Sequence, residues 1–193
     1  FLDEKGKTIR ADFIFALIAA EELKKKKNII FTPTLNISKG VREYIESRGG
    51  KIKLSPQGYP FLQKIMRRYK AFAGVELSGH YHFKKTFFRD STLIPLIYLV
   101  RILSEKHEPL SRLISDIERY ITSEEIAFPT KDKQTIISRI KKTYEGQAKL
   151  SFMDGITVEF KDWWFNLRPS HTEPVVRLSL EAQTQELFDE KLK

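Results

Sequence analysis

Residues 11 to 104 alternate short apolar runs with longer segments of helical spacing, and that alternation constrains the fold more than any other feature. Residues 11–25 place Phe13, Ile14, Leu17 and Ile18 on one helical face. Asn28–Phe31 is a short apolar run that ends at Pro33, and residues 37–48 then read as a helix stopped by Gly49-Gly50. Lys51–Leu54 reads as a strand, and residues 60–69 as a helix with Pro60 in its first turn. Ala71–Val75 is small and apolar, like a buried strand, and Thr92–Ser104 is a strongly apolar helix that tolerates Pro95 only near its start. Strands separated by helices need crossover connections, and right-handed crossovers produce a parallel sheet with helices on its faces. The expectation is an α/β domain of α/β/α type. Phe1-Leu2 followed by Asp3-Glu4-Lys5-Gly6-Lys7 reads as a strand end entering a turn, so the chain is expected to begin inside a structural unit.

The pattern changes after about residue 115. Residues 131–145 form a polar, basic helix, and four strands follow. Ala148–Phe152 and Ile156–Phe160 flank Asp154-Gly155, a hairpin signal. Trp163–Leu167 and Val175–Ala182 flank Arg168-Pro169-Ser170-His171-Thr172-Glu173-Pro174. In the last strand Val176, Leu178, Leu180 and Ala182 share a face, and Trp163 and Trp164 must point to opposite sides. Thr184 is placed to cap a final helix. This is an α+β domain with an antiparallel sheet. The division is set at residues 1–118 and 119–193, with the boundary expected between 115 and 130, near Phe128-Pro129.

Composition narrows the class of function. The most apolar stretch, Leu93–Leu103, is too short for a bilayer and contains Arg101. No signal peptide is evident, and the absence of cysteine excludes disulfides and thiolate metal sites, which fits a cytoplasmic protein. A net charge of +9 admits nucleic acid, an anionic small ligand or simple solubility. The only tight basic run, Lys24–Lys27, ends a helical pattern, where cations offset the helix dipole. Neither an RNA-binding aromatic pattern nor zinc-finger spacing accompanies it, so neither nucleic acid nor membrane is an expected partner.

Two segments carry candidate chemistry. The first is Glu76-Leu77-Ser78-Gly79-His80-Tyr81-His82, after the small buried strand. In extended backbone Glu76, Ser78, His80 and His82 would point to one side. A carboxylate beside a hydroxyl suits adjacent sugar hydroxyls, and α/β sheets bind ligands beyond the carboxyl ends of their strands. The alternative is an edge strand with solvated polar residues. A metal at His80 and His82 lacks a third ligand of convincing spacing. The second segment is the Arg168–Pro174 loop, stiffened by two prolines. Arg168 can fork onto a phosphate, Ser170 and Thr172 add hydroxyls, and Arg177 on the next strand adds a second charge. The alternative is a polar hairpin in which Arg168 pairs with Glu173.

Both segments resemble motifs of the α-D-phosphohexomutase family, of the phosphomannomutase/phosphoglucomutase and phosphoglucosamine mutase type. The family's sugar loop commonly reads Gly-Glu-Met-Ser-Gly-His, against Val75-Glu76-Leu77-Ser78-Gly79-His80 here. Its phosphate loop commonly reads Arg-Pro-Ser-Asn/Gly-Thr-Glu-Pro, against Arg168–Pro174 with His171 at the Asn/Gly position. A third-domain Gly-His pair is replaced by Gly58-Tyr59, and a lysine often found after the preceding strand is not evident around Thr32–Asn36. The resemblance covers the chain as the third and fourth of four domains. It implies phosphoryl transfer between the 6- and 1-positions of a hexose phosphate, through a hexose 1,6-bisphosphate, with a phosphoserine and Mg²⁺ in the first two domains. It implies sugar binding by Glu76, Ser78 and His80, and phosphate binding by Arg168, Ser170, His171, Thr172 and Arg177. The sequence contains neither the phosphoserine motif nor the aspartate-rich metal loop. The chain is therefore expected to be inactive without the missing N-terminal domains. The other reading is a non-catalytic phosphosugar-binding module derived from the same family.

Overall fold

The computed structural model describes every residue except His171. The chain divides into two compact units, Phe1–Arg119 and Tyr120–Lys193.

The first unit contains α1 (Ala11–Lys25), β1 (Ile30–Pro33), α2 (Lys39–Ser47), β2 (Lys51–Ile52), α3 (Tyr59–Tyr69), β3 (Ala73–Val75), β4 (Tyr81–Phe83), α4 (Leu93–Lys106) and α5 (Leu110–Ile114). The sheet runs β2-β1-β3-β4, with β1 parallel to β2 and β3 and with β4 antiparallel to β3. The parallel α/β expectation holds for three strands. The antiparallel β4 arises because residues 76–80 turn the chain back. Helix α5 also lies in a region that showed no periodic signal.

Helix α1 is apolar on every side, with Phe13 through Ala19 all buried, because it packs against α2, α4, α5 and β3 together. Alternation along β1 divides its side chains between two cores. Phe31 joins the large cluster around α1, whereas Ile30 packs with Leu62, Met66 and Ala71 under α3. The α3 side needs Gly74, since a Cβ there would lie 2.6 Å from the Thr32 carbonyl and 2.7 Å from the Met66 sulfur. Helix α4 buries Pro95, Leu99 and Ile102 and leaves Leu93, Leu96, Ile97 and Val100 exposed.

The carboxyl ends of the parallel strands are tied to one another. Thr34 N–H donates to the Val75 carbonyl at 3.0 Å, Leu35 N–H to Ser55 at 2.9 Å, and Ser55 N–H to Pro33 at 3.0 Å. Below these loops lies Asp12, with no exposed surface. Its carboxylate accepts from Arg10 Nε at 3.0 Å and a terminal nitrogen at 2.8 Å, and from Ser38 N–H at 2.8 Å. Ser38 is itself the cap of α2, its Oγ accepting from Gly40 N–H at 3.1 Å.

The second unit contains β5 (Ile121–Thr122), β6 (Ile126–Pro129), α6 (Lys133–Tyr144), β7 (Lys149–Ser151), β8 (Ile156–Glu159), β9 (Trp163–Pro169), β10 (Val175–Ala182) and α7 (Gln185–Leu192). Its antiparallel sheet runs β5-β10-β9-β8-β7, with β6 also paired to β10. The four strands expected from the sequence are present. β5 and β6 are additional, and they place Phe128 and Pro129, near which the boundary was expected, in a strand of the second unit. They are short and largely exposed, so they carry no alternating pattern of burial.

One sheet face packs on α6 and α7 through Val176, Leu180, Ala182, Phe165 and Phe188. Trp164 is buried with its indole N–H donating to the buried carboxylate of Glu181, while Trp163 is half-buried and stacks on Phe160 at 4.6 Å. Thr184 caps α7, its hydroxyl accepting from Leu187 N–H at 3.3 Å. The Asp154-Gly155 turn packs tightly on the end of β9. A Cβ on Gly155 would lie 2.2 Å from the Leu167 carbonyl and 2.6 Å from Arg168 Cα, and φ there is +67°.

Asp12→Ala removes, in a buried setting, the carboxylate to which Arg10 and the Ser38 N–H both donate. The expected loss is about 3 kcal/mol of unfolding free energy, read from chemical denaturation followed by far-UV circular dichroism. A loss within experimental error would remove Asp12 from its bracing role.

Candidate functional site

The first candidate segment is a turn. Glu76 N–H donates to the His80 carbonyl and Gly79 N–H to Glu76, each at 3.0 Å, and Gly79 takes φ of +88°. That positive φ is available to glycine at little cost, so Gly79 closes the turn between β3 and β4. Glu76, Ser78 and His80 are therefore grouped on one loop, although the extended arrangement in which they share a strand face is not formed. Ser78 Oγ and His80 Nδ1 lie 2.9 Å apart on the exposed side.

Glu76 is held from below by the fully buried His82. The ring's Nε2 lies 3.4 Å from the Glu76 carboxylate and its Nδ1 lies 3.3 Å from the Phe88 carbonyl. The ring of Tyr59, at the start of α3, tilts over His82 at 5.3 Å. A hollow of about 490 Å³ lies beside the turn, lined by Arg10, Leu77, Ser78, Gly79, Tyr81 and Pro95 among others. This geometry offers one carboxylate, one hydroxyl and one imidazole on a short rigid turn at the carboxyl end of the sheet. Such groups can bind a polyhydroxylated ligand through paired hydrogen bonds. Among the described residues no group of three or more His, Cys, Asp or Glu side chains is placed to hold a metal ion.

The second candidate segment joins β9 to β10 in the other unit. Arg168 and Arg177 are directly opposite each other in the β9–β10 register. Like charges in that position repel, and the structure supplies the counter-charge from Glu125, just before β6. Arg168 donates from one terminal nitrogen to both Glu125 oxygens, at 3.0 and 3.3 Å, and Arg177 donates to the same carboxylate at 2.9 Å. Arg177 also pairs with Glu173, and these two carboxylates, Glu125 foremost, push its guanidinium pKa upward. The pairing of Arg168 with Glu173 considered from the sequence is not formed.

The loop is pinned in three ways. Ser170 N–H donates to Val175 at 3.0 Å. Ser170 is buried, its Oγ accepting from Glu173 N–H at 3.3 Å. Lys133, in the first turn of α6, donates to the carbonyls of Ser170 at 2.5 Å and Glu173 at 2.7 Å. Just before it, Asp132 caps α6, its carboxyl held below the ordinary range by hydrogen bonds from the Thr135 side chain and N–H. Thr172 is exposed, and His171 lies outside the described residues. Two guanidinium groups beside a proline-stiffened, serine-containing loop form an arrangement suited to a multiply charged oxyanion. Glu125 and Lys133 were missed from the sequence, because neither lies in the loop and neither belongs to a spacing pattern that points to it.

Residues 10–120 match the family described as phosphoglucomutase/phosphomannomutase, alpha/beta/alpha domain III, and residues 125–191 match the C-terminal domain of the same family. The chain thus matches two consecutive domains of one family. It belongs to the phosphoglucomutase/phosphomannomutase family. It is 40% identical over 191 residues to a phosphomannomutase of Methanocaldococcus jannaschii, covering 99% of this chain and 42% of that protein. It is 31% identical over 183 residues to a phosphomannomutase of Escherichia coli, covering 94% of this chain and 40% of that one. The chain thus spans about two-fifths of the length of these curated relatives. Among solved structures, a phosphoglucomutase/phosphomannomutase family protein of Burkholderia thailandensis superposes with a TM-score of 0.86 at 21% identity, covering 98% of this chain and 41% of that one. Aspergillus fumigatus N-acetylphosphoglucosamine mutase, solved with GlcNAc-6P and magnesium, superposes with a TM-score of 0.65 at 17% identity, covering 98% of this chain and 47% of that one.

Replacing Lys133 with methionine removes a cation that donates to both the Ser170 and Glu173 carbonyls. Amide hydrogen exchange at Thr172 and Glu173 is expected to accelerate about tenfold, with β8 and β9 unchanged. Unaltered exchange in the loop would show that its prolines suffice to hold it.

Proposed function

We propose that this chain is the substrate-holding part of a phosphohexomutase, with sugar hydroxyls bound at the Glu76–His80 turn and a phosphate bound at the Arg168–Arg177 clamp. The observation that carries the reading is the cross-strand pair of Arg168 and Arg177 beside the pinned Ser170 loop. Two sheltered cations face one site, and each presents several N–H donors in a fixed plane. Ser170, His171 and Thr172 complete the phosphate contacts, and Glu76, Ser78 and His80 the sugar contacts. Membership of the family supports phosphoryl transfer as the reaction of the longer protein, moving the group between the 6- and 1-positions of a hexose phosphate through a hexose 1,6-bisphosphate.

In such a reaction these residues bind and orient. A clamp that recognises phosphate by charge and a turn that recognises hydroxyls each restrict the freedom of the group they bind, which lowers the entropic part of a barrier. Mg²⁺ would stabilise developing charge on the transferring group. The described residues of this chain do not form a site that fits it, so no step here runs through the metal. The phosphoserine and its metal loop belong to the rest of the mutase, and the chain by itself is inactive. No helix among the described residues is long and apolar enough to cross a membrane, and a cytoplasmic setting is proposed, where hexose phosphates are available. A non-catalytic phosphosugar-binding module is the second reading. Tyr59, standing beside His82 where the family's Gly-His pair is replaced, favours it.

The test is an NMR titration of the chain with inorganic phosphate, glucose 6-phosphate and mannose 6-phosphate. Arg168→Ala is expected to weaken all three at least about tenfold. Glu76→Gln is expected to weaken only the sugar phosphates, by about three- to tenfold. Equal affinities in the wild type and Arg168→Ala would refute the clamp. Mutase turnover by the chain alone would refute its assignment as a holding part, and its absence after recombination with the missing domains would favour the binding module.

A further inference from the structure

We infer that Glu125 is the resident anion of the Arg168–Arg177 clamp, that a bound phosphate displaces it, and that it thereby sets the clamp's phosphate affinity. The inference rests on the phosphate-binding reading above.

Two observations lead to it. The cluster is balanced in charge, since the guanidinium groups of Arg168 and Arg177 are matched by the carboxylates of Glu125 and Glu173. A site already neutral in its resting arrangement attracts a phosphate dianion weakly unless a carboxylate withdraws. A dianion carries two charges, so it compensates both arginines once Glu125 has withdrawn. The second observation is how Glu125 holds Arg168. Both of its oxygens face a single terminal nitrogen, so the parallel fork of two N–H donors is not used. Arg168 Nε is buried and has no hydrogen-bond partner among the described residues. A buried donor left without a partner is costly. The resting pairing therefore compensates charge without satisfying the donors. A tetrahedral oxyanion with three acceptor oxygens can take the fork of Arg168 and still reach Arg177.

The side chains are sheltered without being sealed, with exposures of 16% for Arg168, 28% for Arg177 and 27% for Glu125. Glu125 is fixed by the chain just ahead of Ile126, which pairs with Leu178 in the β6–β10 register. It is therefore held near the arginines whether or not a ligand is present, as a tethered competitor. The Glu173 carboxylate, at 53% side-chain exposure, pairs with Arg177 alone of the two arginines and competes less.

The experiment is titration of the chain with inorganic phosphate at fixed ionic strength, by calorimetry, for the wild type, Glu125→Gln, Glu173→Gln and Arg168→Ala. Glu125→Gln removes the charge and keeps the shape. It is expected to bind phosphate about three- to tenfold more tightly than the wild type, Glu173→Gln less than about twofold more tightly, and Arg168→Ala far more weakly. The second measurement uses the unmutated chain with ¹³C-labelled glutamate. The Glu125 side-chain carboxyl resonance is expected to move to the position of a solvated carboxylate as phosphate saturates the site. If Arg168→Ala weakens binding while Glu125→Gln leaves it equal or weaker, or if the Glu125 resonance stays in place at saturation, Glu125 is a fixed brace and the inference is overturned while the clamp stands. If Arg168→Ala leaves phosphate binding unchanged, the clamp reading fails and this inference fails with it.

Discussion

Sheltered charge is the constraint around which both units are organised, and in each it is met by a partner from a separate segment. In the first unit Asp12 sits at the base of α1 with no exposed surface. A carboxylate in that position must be compensated by a cation and by N–H donors, or its burial would cost several kcal/mol. Arg10 and the Ser38 backbone do this together. Because Ser38 also caps α2, the same carboxylate ties the start of α1 to the start of α2, and so fixes where the chain leaves β1. The hydrogen bonds from Thr34 to Val75 and between Leu35 and Ser55 then align the neighbouring loops. The Glu76 turn follows directly from Val75, so its position is inherited from this arrangement.

The second unit inverts the signs. Two guanidinium groups are brought face to face by strand register, which is set by the buried alternation of Val176, Leu180 and Ala182 along β10 and by the Asp154-Gly155 turn against β9. Packing thus forces two cations together, and Glu125 makes the arrangement tolerable. Lys133 performs a different task nearby. It satisfies carbonyls of the loop that have no strand opposite them, so the loop keeps its shape without help from a ligand.

Much of this architecture could be read from the sequence because it rests on periodicity. The α1, α2, α3 and α4 patterns, the hairpin at Asp154-Gly155 and the alternation in β10 are local signals, written within a window of a few turns. The candidate residues were proposed from two consecutive segments, Glu76 to His80 and Arg168 to Thr172, that resemble family motifs. Three things were not readable. The reversal at Gly79 depends on one positive φ, and a glycine in that stretch is equally compatible with extended chain. β5 and β6 are edge strands of two and four residues with exposed side chains, so no burial pattern marks them. Glu125 is adjacent to Glu124 in a charged stretch, and its partners lie 43 and 52 residues away. Contacts of that range are decided by sheet register, and nothing in the local composition reports them.

The two candidate sites differ in how their chemistry is maintained without a ligand. At the Glu76 turn the polar groups are held by neighbours that remain usable in a complex: Ser78 and His80 bond to each other on the exposed side, and His82 supports Glu76 from the buried side. A hydroxyl arriving there adds a hydrogen bond without having to expel a charge. At the clamp the groups that would meet the ligand are already engaged by carboxylates, so binding there must be an exchange. Hydroxyls are neutral and compete with water one bond at a time, so a preformed turn suffices for them. A phosphate brings two charges into a sheltered place, and two arginines could not be held side by side in its absence without an anion of the protein's own. On the proposed reading, the ionic complexity of the clamp matches the charge of the phosphate it would hold.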